Sequence, residues 1–144
     1  METQTMGRVL VEATVENLKD LWDVERGMIP AERARHITIT DALVDTGATT
    51  LALPTRIIEQ LGLTKSYEKR AISTKGSGIV AVYETVRLTI LDRTCTVEVM
   101  EVSNDVPPLI GQIPLEMLDL VVDLRSQRLT GNPAHGGEHV LELY

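Results

Sequence analysis

Residues 42–50 read Ala-Leu-Val-Asp-Thr-Gly-Ala-Thr-Thr, and Asp45 is the side chain in the sequence best placed to do chemistry. It stands between an apolar run, Ala42 to Val44, and a glycine turn, Thr46-Gly47. Ending a hydrophobic strand on a carboxylate is costly because the charge loses its hydration. A carboxylate held there should titrate away from its ordinary range, which suits acid–base work. Three readings of the local string stand side by side. Asp45 is a catalytic carboxylate at a strand-to-turn junction, with Gly47 permitting the sharp turn, nearby backbone N–H groups holding the carboxylate and the Thr46 hydroxyl bracing it. Alternatively Asp45-x-Gly47-x-Thr49 is a phosphate loop of the sugar-kinase and actin type, which ordinarily requires two nucleotide-binding lobes and a longer chain. The plainest reading is a turn with a capping aspartate.

Other reactive side chains offer less. His135 and His139 have the spacing of zinc ligands, but they lie in a Gly-rich tail without a supporting Cys, Asp or Glu cluster, so exposed tail residues are expected and no metal. His36 reads as a structural histidine beside an apolar run, and Trp22 as a packing residue. Cys95 lies in the alternating run Thr94 to Val99 and reads as a small buried hydrophobe. Asp41, Asp119 and Asp123 read as turn or capping residues; none is followed by glycine. Neither Gly-x-Ser-x-Gly nor a P-loop occurs, since Lys75-Gly76-Ser77-Gly78 has the wrong order for the latter.

The elements that must position Asp45 are mostly strands. Val9, Val11, Ala13 and Val15 alternate with more polar neighbours over residues 8–16, a half-buried strand. A turn at Asn17 leads into a less regular stretch through Trp22 to Gly27. Residues 34–45 form one or two strands, broken near Asp41. Pro54 to Leu61 is helical, with Pro54 at the first position, Ile57, Ile58 and Leu61 on one face, and Gly62 as the stop. Strands follow at 66–73, 79–92 and 94–102, with Asp92-Arg93 as a hairpin turn and Gly76-Ser77-Gly78 at a mobile hairpin tip. The apolar run 106–111 ends in Gly111, a second short helix spans Pro114 to Asp119, and strands lie near 120–124 and 127–130. Residues 131–138 are loop-like, and 140–144 form a possible final strand. There is also an internal echo. Leu43-Val44-Asp45-Thr46-Gly47 and Leu109-Ile110-Gly111 each place two apolar residues and a glycine before a proline-started helix, but only the first carries an aspartate.

A chain of 144 residues is the size of one domain and long enough to bury a core without disulfides or metal. No linker divides it, so one domain over 1–144 is expected, with its core at about 8–130. Phe is absent, which leaves the core to Val, Leu, Ile, Ala and Met. The formal net charge of −7 argues against a broad nucleic-acid surface and against an anionic membrane. The first residues lack the basic and apolar segments of a signal peptide, and no run approaches a membrane span, so a cytoplasmic protein is expected.

The string Ala-Leu-Val-Asp-Thr-Gly-Ala-Thr, the glycine hairpin at 76–78 and the later Leu109-Ile110-Gly111 occur in the order found in the retropepsin-like aspartic proteases. The chain resembles that family over roughly residues 8–130, and looks most like its soluble single-domain prokaryotic members. The resemblance implies a mostly β, closed acid-protease barrel with one or two short helices, one of them after Leu-Ile-Gly. It also implies a β-hairpin flap near Lys75 to Val80, with Lys75, Gly76, Ser77, Gly78 and Ile79 meeting substrate. Asp45 would be catalytic, Thr46 and Gly47 would support the loop, Ala48 would line the substrate groove, and no cofactor is needed. Peptide hydrolysis by this route takes two carboxylates sharing a water and a proton. The sequence supplies one Asp-Thr-Gly, so the expected enzyme is a homodimer cutting extended peptides, its site completed across a two-fold axis. The rival expectation is a peptide-binding or dimerisation module on the same fold that does not cleave. Two departures from the viral pattern stand out: a more polar flap tip, and additional residues before the aspartate, around Asn17 to Arg35. Ala48 also stands where pepsin-like enzymes often carry Ser or Thr, which implies a less acidic working range.

Overall fold

The computed structural model describes residues 8–74 and 76–140. Among these residues nine strands carry the architecture: β1 (Val9–Asn17), β2 (His36–Val44), β3 (Leu51–Pro54), β4 (Lys65–Ser73), β5 (Gly76–Ile90), β6 (Arg93–Val102), β7 (Leu109–Ile110), β8 (Leu120–Asp123) and β9 (Arg128–Gly131). Three short helices interrupt them: α1 (Leu18–Glu25), α2 (Thr55–Leu61) and α3 (Gln112–Met117). The first seven strands form one sheet in the order β1-β2-β7-β3-β6-β5-β4, and β1 also pairs with β5. That extra pairing, Thr14–Asn17 against Val86–Thr89, closes the sheet into a ring with β4 outside it. The mostly β, closed architecture therefore stands. Among the described residues there are three α-helices, against the one or two expected.

The alternation in β1 sends Val9, Ala13 and Val15 into the core while Leu10 and Glu12 face out. Val86, Leu88, Val99, Leu51, Leu53 and Ile110 meet them inside, all fully buried. Each such aliphatic side chain contributes about 1.5–3 kcal/mol by leaving water, which lets a Phe-free chain stabilise its interior. The break expected near Asp41 is a bulge within a continuous β2. Val11 pairs with Ala42 and Ala13 with Ile39, so Thr40 and Asp41 oppose the single residue Glu12.

The stretch after Asn17, expected to be irregular, is α1. Asn17 is its N-cap and accepts from the Asp20 N–H at 3.0 Å. Its own amide donates to the Leu61 carbonyl at 2.7 Å, tying α1 to the end of α2. Buried Asp20 takes a forked pair of bonds from the Arg35 guanidinium and a third from the Arg35 backbone N–H. Arg35 holds its carboxyl below the usual carboxylate range, against the opposing effect of burial. Gly62 ends α2 at φ 64°, and a Cβ there would fall 1.8 Å from that guanidinium. The backbone angle favours glycine here, and a side chain would also push the Arg35 guanidinium aside. Trp22, expected to pack, is 49% exposed on the outer face of α1.

Two turns differ from expectation by a step. The β5–β6 hairpin turns on Leu91 and Asp92, both at positive φ, with Ile90 opposite Arg93. This is the two-residue turn whose twist matches the flanking strands. The β4–β5 hairpin pairs Ser73 with Gly76, so Gly76-Ser77-Gly78 lies on the strand beside the tip, opposite Ile72 and Ala71. Lys75 lies outside the described residues, as do 141–144 of the suggested final strand.

Candidate active site

Asp45 is the first residue after β2, and a two-residue strand fixes it. β7 lies between β2 and β3, parallel to β2 (Leu43 beside Leu109, Val44 beside Ile110) and antiparallel to β3. The loop 45–50 therefore has to arch over the end of β7. Its backbone is sewn down on both sides. The Asp45 N–H donates to the Ile110 carbonyl at 2.9 Å, and the Gly111 N–H to the Thr50 carbonyl at 3.0 Å. The N–H groups of Gln112 and Ile113 donate to the carbonyls of Ala48 and Thr49 at 2.9 and 2.8 Å. Those two donors belong to the first turn of α3 and have no partner within the helix, so loop and helix start satisfy each other. The two copies of the internal echo are thus neighbours in space, and the second copy is the mount for the first.

Gly111 is required by space. A Cβ there would lie 2.5 Å from the Thr50 carbonyl oxygen and 2.7 Å from that of Ala48. Within the loop, the Gly47 N–H donates to Asp45 Oδ1 at 3.0 Å, and the Ala48 N–H to the Asp45 carbonyl at 2.9 Å. The first bond closes a side-chain turn that aims the carboxylate. A Cβ on Gly47 would press on Asp45 Oδ1 at 3.2 Å. Asp45 itself is half-buried, and its Oδ2 accepts no hydrogen bond among the described residues. Thr46 is exposed, with its hydroxyl unengaged among the described residues. The arrangement can present one oriented carboxylate with a free oxygen to a molecule outside the chain.

The structure brings together Asp45, Thr46, Gly47, Ala48, Leu109, Ile110 and Gly111. It places Gly76, Ser77, Gly78 and Ile79 apart from them, on the exposed end of the β4–β5 hairpin, where Ile79 is 67% exposed. Between the two groups runs a groove of two adjoining clefts, of about 330 and 270 Å³, which share Thr49, Lys69, Val82 and Met100. The larger continues to Glu98 and Ile113, the smaller beneath Ala71 and Val80. Ala48, expected to line the groove, is not in its wall; its neighbour Thr49 is. Sequence reasoning passed over Lys69, Val82, Glu98 and Met100. Val82 and Met100 meet through strand pairing near the end of β6, which no local sequence pattern announces.

A family model for aspartyl proteases matches residues 36–113, from the start of β2 to the start of α3. The chain belongs to the aspartyl protease family. The matched span holds Asp45 with its loop, the β4–β5 hairpin and the Leu109-Ile110-Gly111 mount. No curated protein matches the chain.

Of the two histidines expected to be exposed tail residues, His139 is one and His135 is not. His135 Nδ1 lies 2.6 Å from Asp119 Oδ2, largely shielded from solvent, while exposed His139 turns Nε2 to the Met117 carbonyl. Among the described residues no group of three His, Cys, Asp or Glu side chains is placed to hold a metal ion. Cys95 is buried, which pushes its thiol up to about 11, too high for a useful thiolate. Asp123 accepts from the Arg125 N–H and caps a turn. No helix among the described residues is long and apolar enough to cross a membrane.

Proposed function

We propose that the protein is a homodimeric aspartic endopeptidase of one domain, with Asp45 of each protomer forming a shared catalytic pair. The observation that carries this reading is the carboxylate itself: it is oriented through Oδ1 by the Gly47 N–H, while Oδ2 has no hydrogen-bond partner among the described residues. A lone carboxylate can take a proton from water but cannot also supply one to the scissile carbonyl. Two carboxylates in close contact do both, because the pair retains one proton. The ionised member takes a proton from the shared water, and the resulting hydroxide attacks the carbonyl carbon. The protonated member donates to the carbonyl oxygen, giving a neutral gem-diol. That intermediate collapses as the C–N bond breaks and the leaving nitrogen takes up a proton.

A two-fold axis beside the loop would bring the same patch from both chains together. Exposed Thr46 would then have its hydroxyl available to bond the facing loop. Gly47 lets that loop approach closely. The hairpin of β4 and β5, with Gly76, Ser77, Gly78, Ile79 and Lys75, would close on an extended peptide lying in the groove, bound strand-like with side chains entering alternate pockets.

The test is incubation of the wild-type protein and Asp45→Asn with an unfolded protein substrate at acidic and neutral pH. Cleavage by the wild type alone is expected. Cleavage that persists in Asp45→Asn sinks the assignment, and a folded, dimeric wild type with no cleavage at either pH indicates a non-cleaving module instead.

A further inference from the structure

The groove contains a cation with no acidic partner. Lys69 belongs to the wall shared by both clefts, and its Nζ sits 5.5 Å from the centre of the Tyr67 ring. It makes no ion pair among the described residues. The nearby acid is already engaged: Glu98 Oε1 accepts from the Tyr67 hydroxyl at 2.9 Å. That same tyrosine meets Lys69 through its ring and Glu98 through its hydroxyl. The larger cleft, which reaches Glu98, is otherwise walled by Val82, Val97, Met100, Ile113 and Met117 together with threonines. The smaller cleft has Lys69 and Arg70 and no carboxylate in its wall. On a protein of net charge −7, a positive cleft open to solvent is a selective feature, because the rest of the surface repels an acidic ligand.

We propose that Lys69 is a specificity-determining residue, selecting peptides that carry an Asp or Glu side chain in the smaller cleft beside a large apolar side chain in the larger one. This rests on the part of the proposed function that places an extended peptide in the groove. The adjoining clefts share a wall, so the two side chains leave the same face of the bound strand and stand two residues apart in the peptide. The Lys69 ammonium pairs with the carboxylate at an exposed position, so the gain is that of a single surface ion pair. Tyr67 limits the positions the ammonium can reach, which reduces the entropy lost on pairing.

The experiment compares peptides that share a large apolar residue and carry Glu, Gln or Lys two positions to either side, against the wild type, Lys69→Met and Lys69→Glu. Two readouts are taken: kcat/KM for cleavage, and binding to the same proteins carrying Asp45→Asn, which needs no turnover. The wild type should favour Glu over Gln by about fivefold, the scale of one surface ion pair. Lys69→Met should abolish that preference, and Lys69→Glu should reverse it towards Lys. Since Lys69 is exposed, both variants should fold, and thermal unfolding checks that they do. A Glu preference unchanged in Lys69→Glu, or no preference in the wild type, overturns the proposal. Absent cleavage with an intact, Lys69-dependent binding preference would overturn the catalytic reading and leave this one standing.

Discussion

Asp45 and Asp119 are both aspartates at the end of a regular element, and they have opposite fates. Asp119 follows α3 at φ 55°, and both oxygens of its side chain are engaged. Its Oδ2 lies 2.6 Å from His135 Nδ1 and accepts from the Val140 N–H, while Oδ1 accepts from the Asn132 amide. Arg93 completes the knot by donating to the carbonyls of Leu118, Asp119 and Gly137. This carboxylate holds the segment 132–140 against the end of α3. Asp45 instead has a rigidly fixed backbone and a side chain bonded on one oxygen only. A carboxylate surrounded by donors spends its charge on structure; one whose loop is held from behind keeps its charge for a ligand.

The contrast predicts a separation of stability from activity. The largest effect should come from Asp45→Asn. Cleavage should fall on the order of a thousandfold, the weight of a lost acid–base group, while the melting temperature stays near the wild-type value. A marked drop in melting temperature would show that Asp45 is structural after all and erase the difference between the two sites.

Gly111→Ala attacks the mount. Its new methyl group would fall on the Thr50 and Ala48 carbonyl oxygens, at a cost of about 1–3 kcal/mol for overpacking. The loop must shift to make room, so activity and stability should decline together. Calorimetry alongside a cleavage assay checks this, and unchanged activity in a destabilised variant would mean that the mount does not set the geometry of Asp45.

Asp119→Asn should show the smallest catalytic effect, lowering the melting temperature but leaving the cleavage rate per folded molecule in place. Its acid behaviour is also specific. The bond with His135, assisted by the Val140 N–H and Asn132, holds the Asp119 carboxyl down at about 2, against about 3.9 for an unfolded chain. As the pH falls between these values the unfolded chain binds the proton first. The stabilisation is therefore complete above about pH 4 and disappears on approach to pH 2. Urea titrations across that range should give a loss of stability in the wild type that is reduced in Asp119→Asn; parallel curves would contradict it.

Legibility in the sequence followed how local each signal was. The alternation of β1, the Pro54 and Gly62 boundaries of α2, and the Asp-Thr-Gly turn could be read because their determinants lie within a few residues. β3 was passed over because Leu51, Ala52, Leu53 and Pro54 are all buried, which removes the alternation that marks a strand. α1 was read as irregular because Asn17, its cap, is equally good at turns, and because Trp22 leaves much of its surface in water. Asp119 looked like an ordinary turn residue since its partners lie 13 to 21 positions away. At the candidate site, Leu109-Ile110-Gly111 was visible as a motif. That it passes between β2 and β3 and carries the Asp45 loop depends on a parallel pairing that no local pattern encodes.

The central claim is that each protomer contributes one Asp45 to a single site. Wild-type and Asp45→Asn subunits refolded together in equal amounts test it most directly, with cleavage measured per total protein. If both aspartates are needed, only dimers of two wild-type chains are active, and the mixture should retain about a quarter of the activity of the same total wild-type protein. Retention of about half would mean that each chain works alone, and would contradict the account.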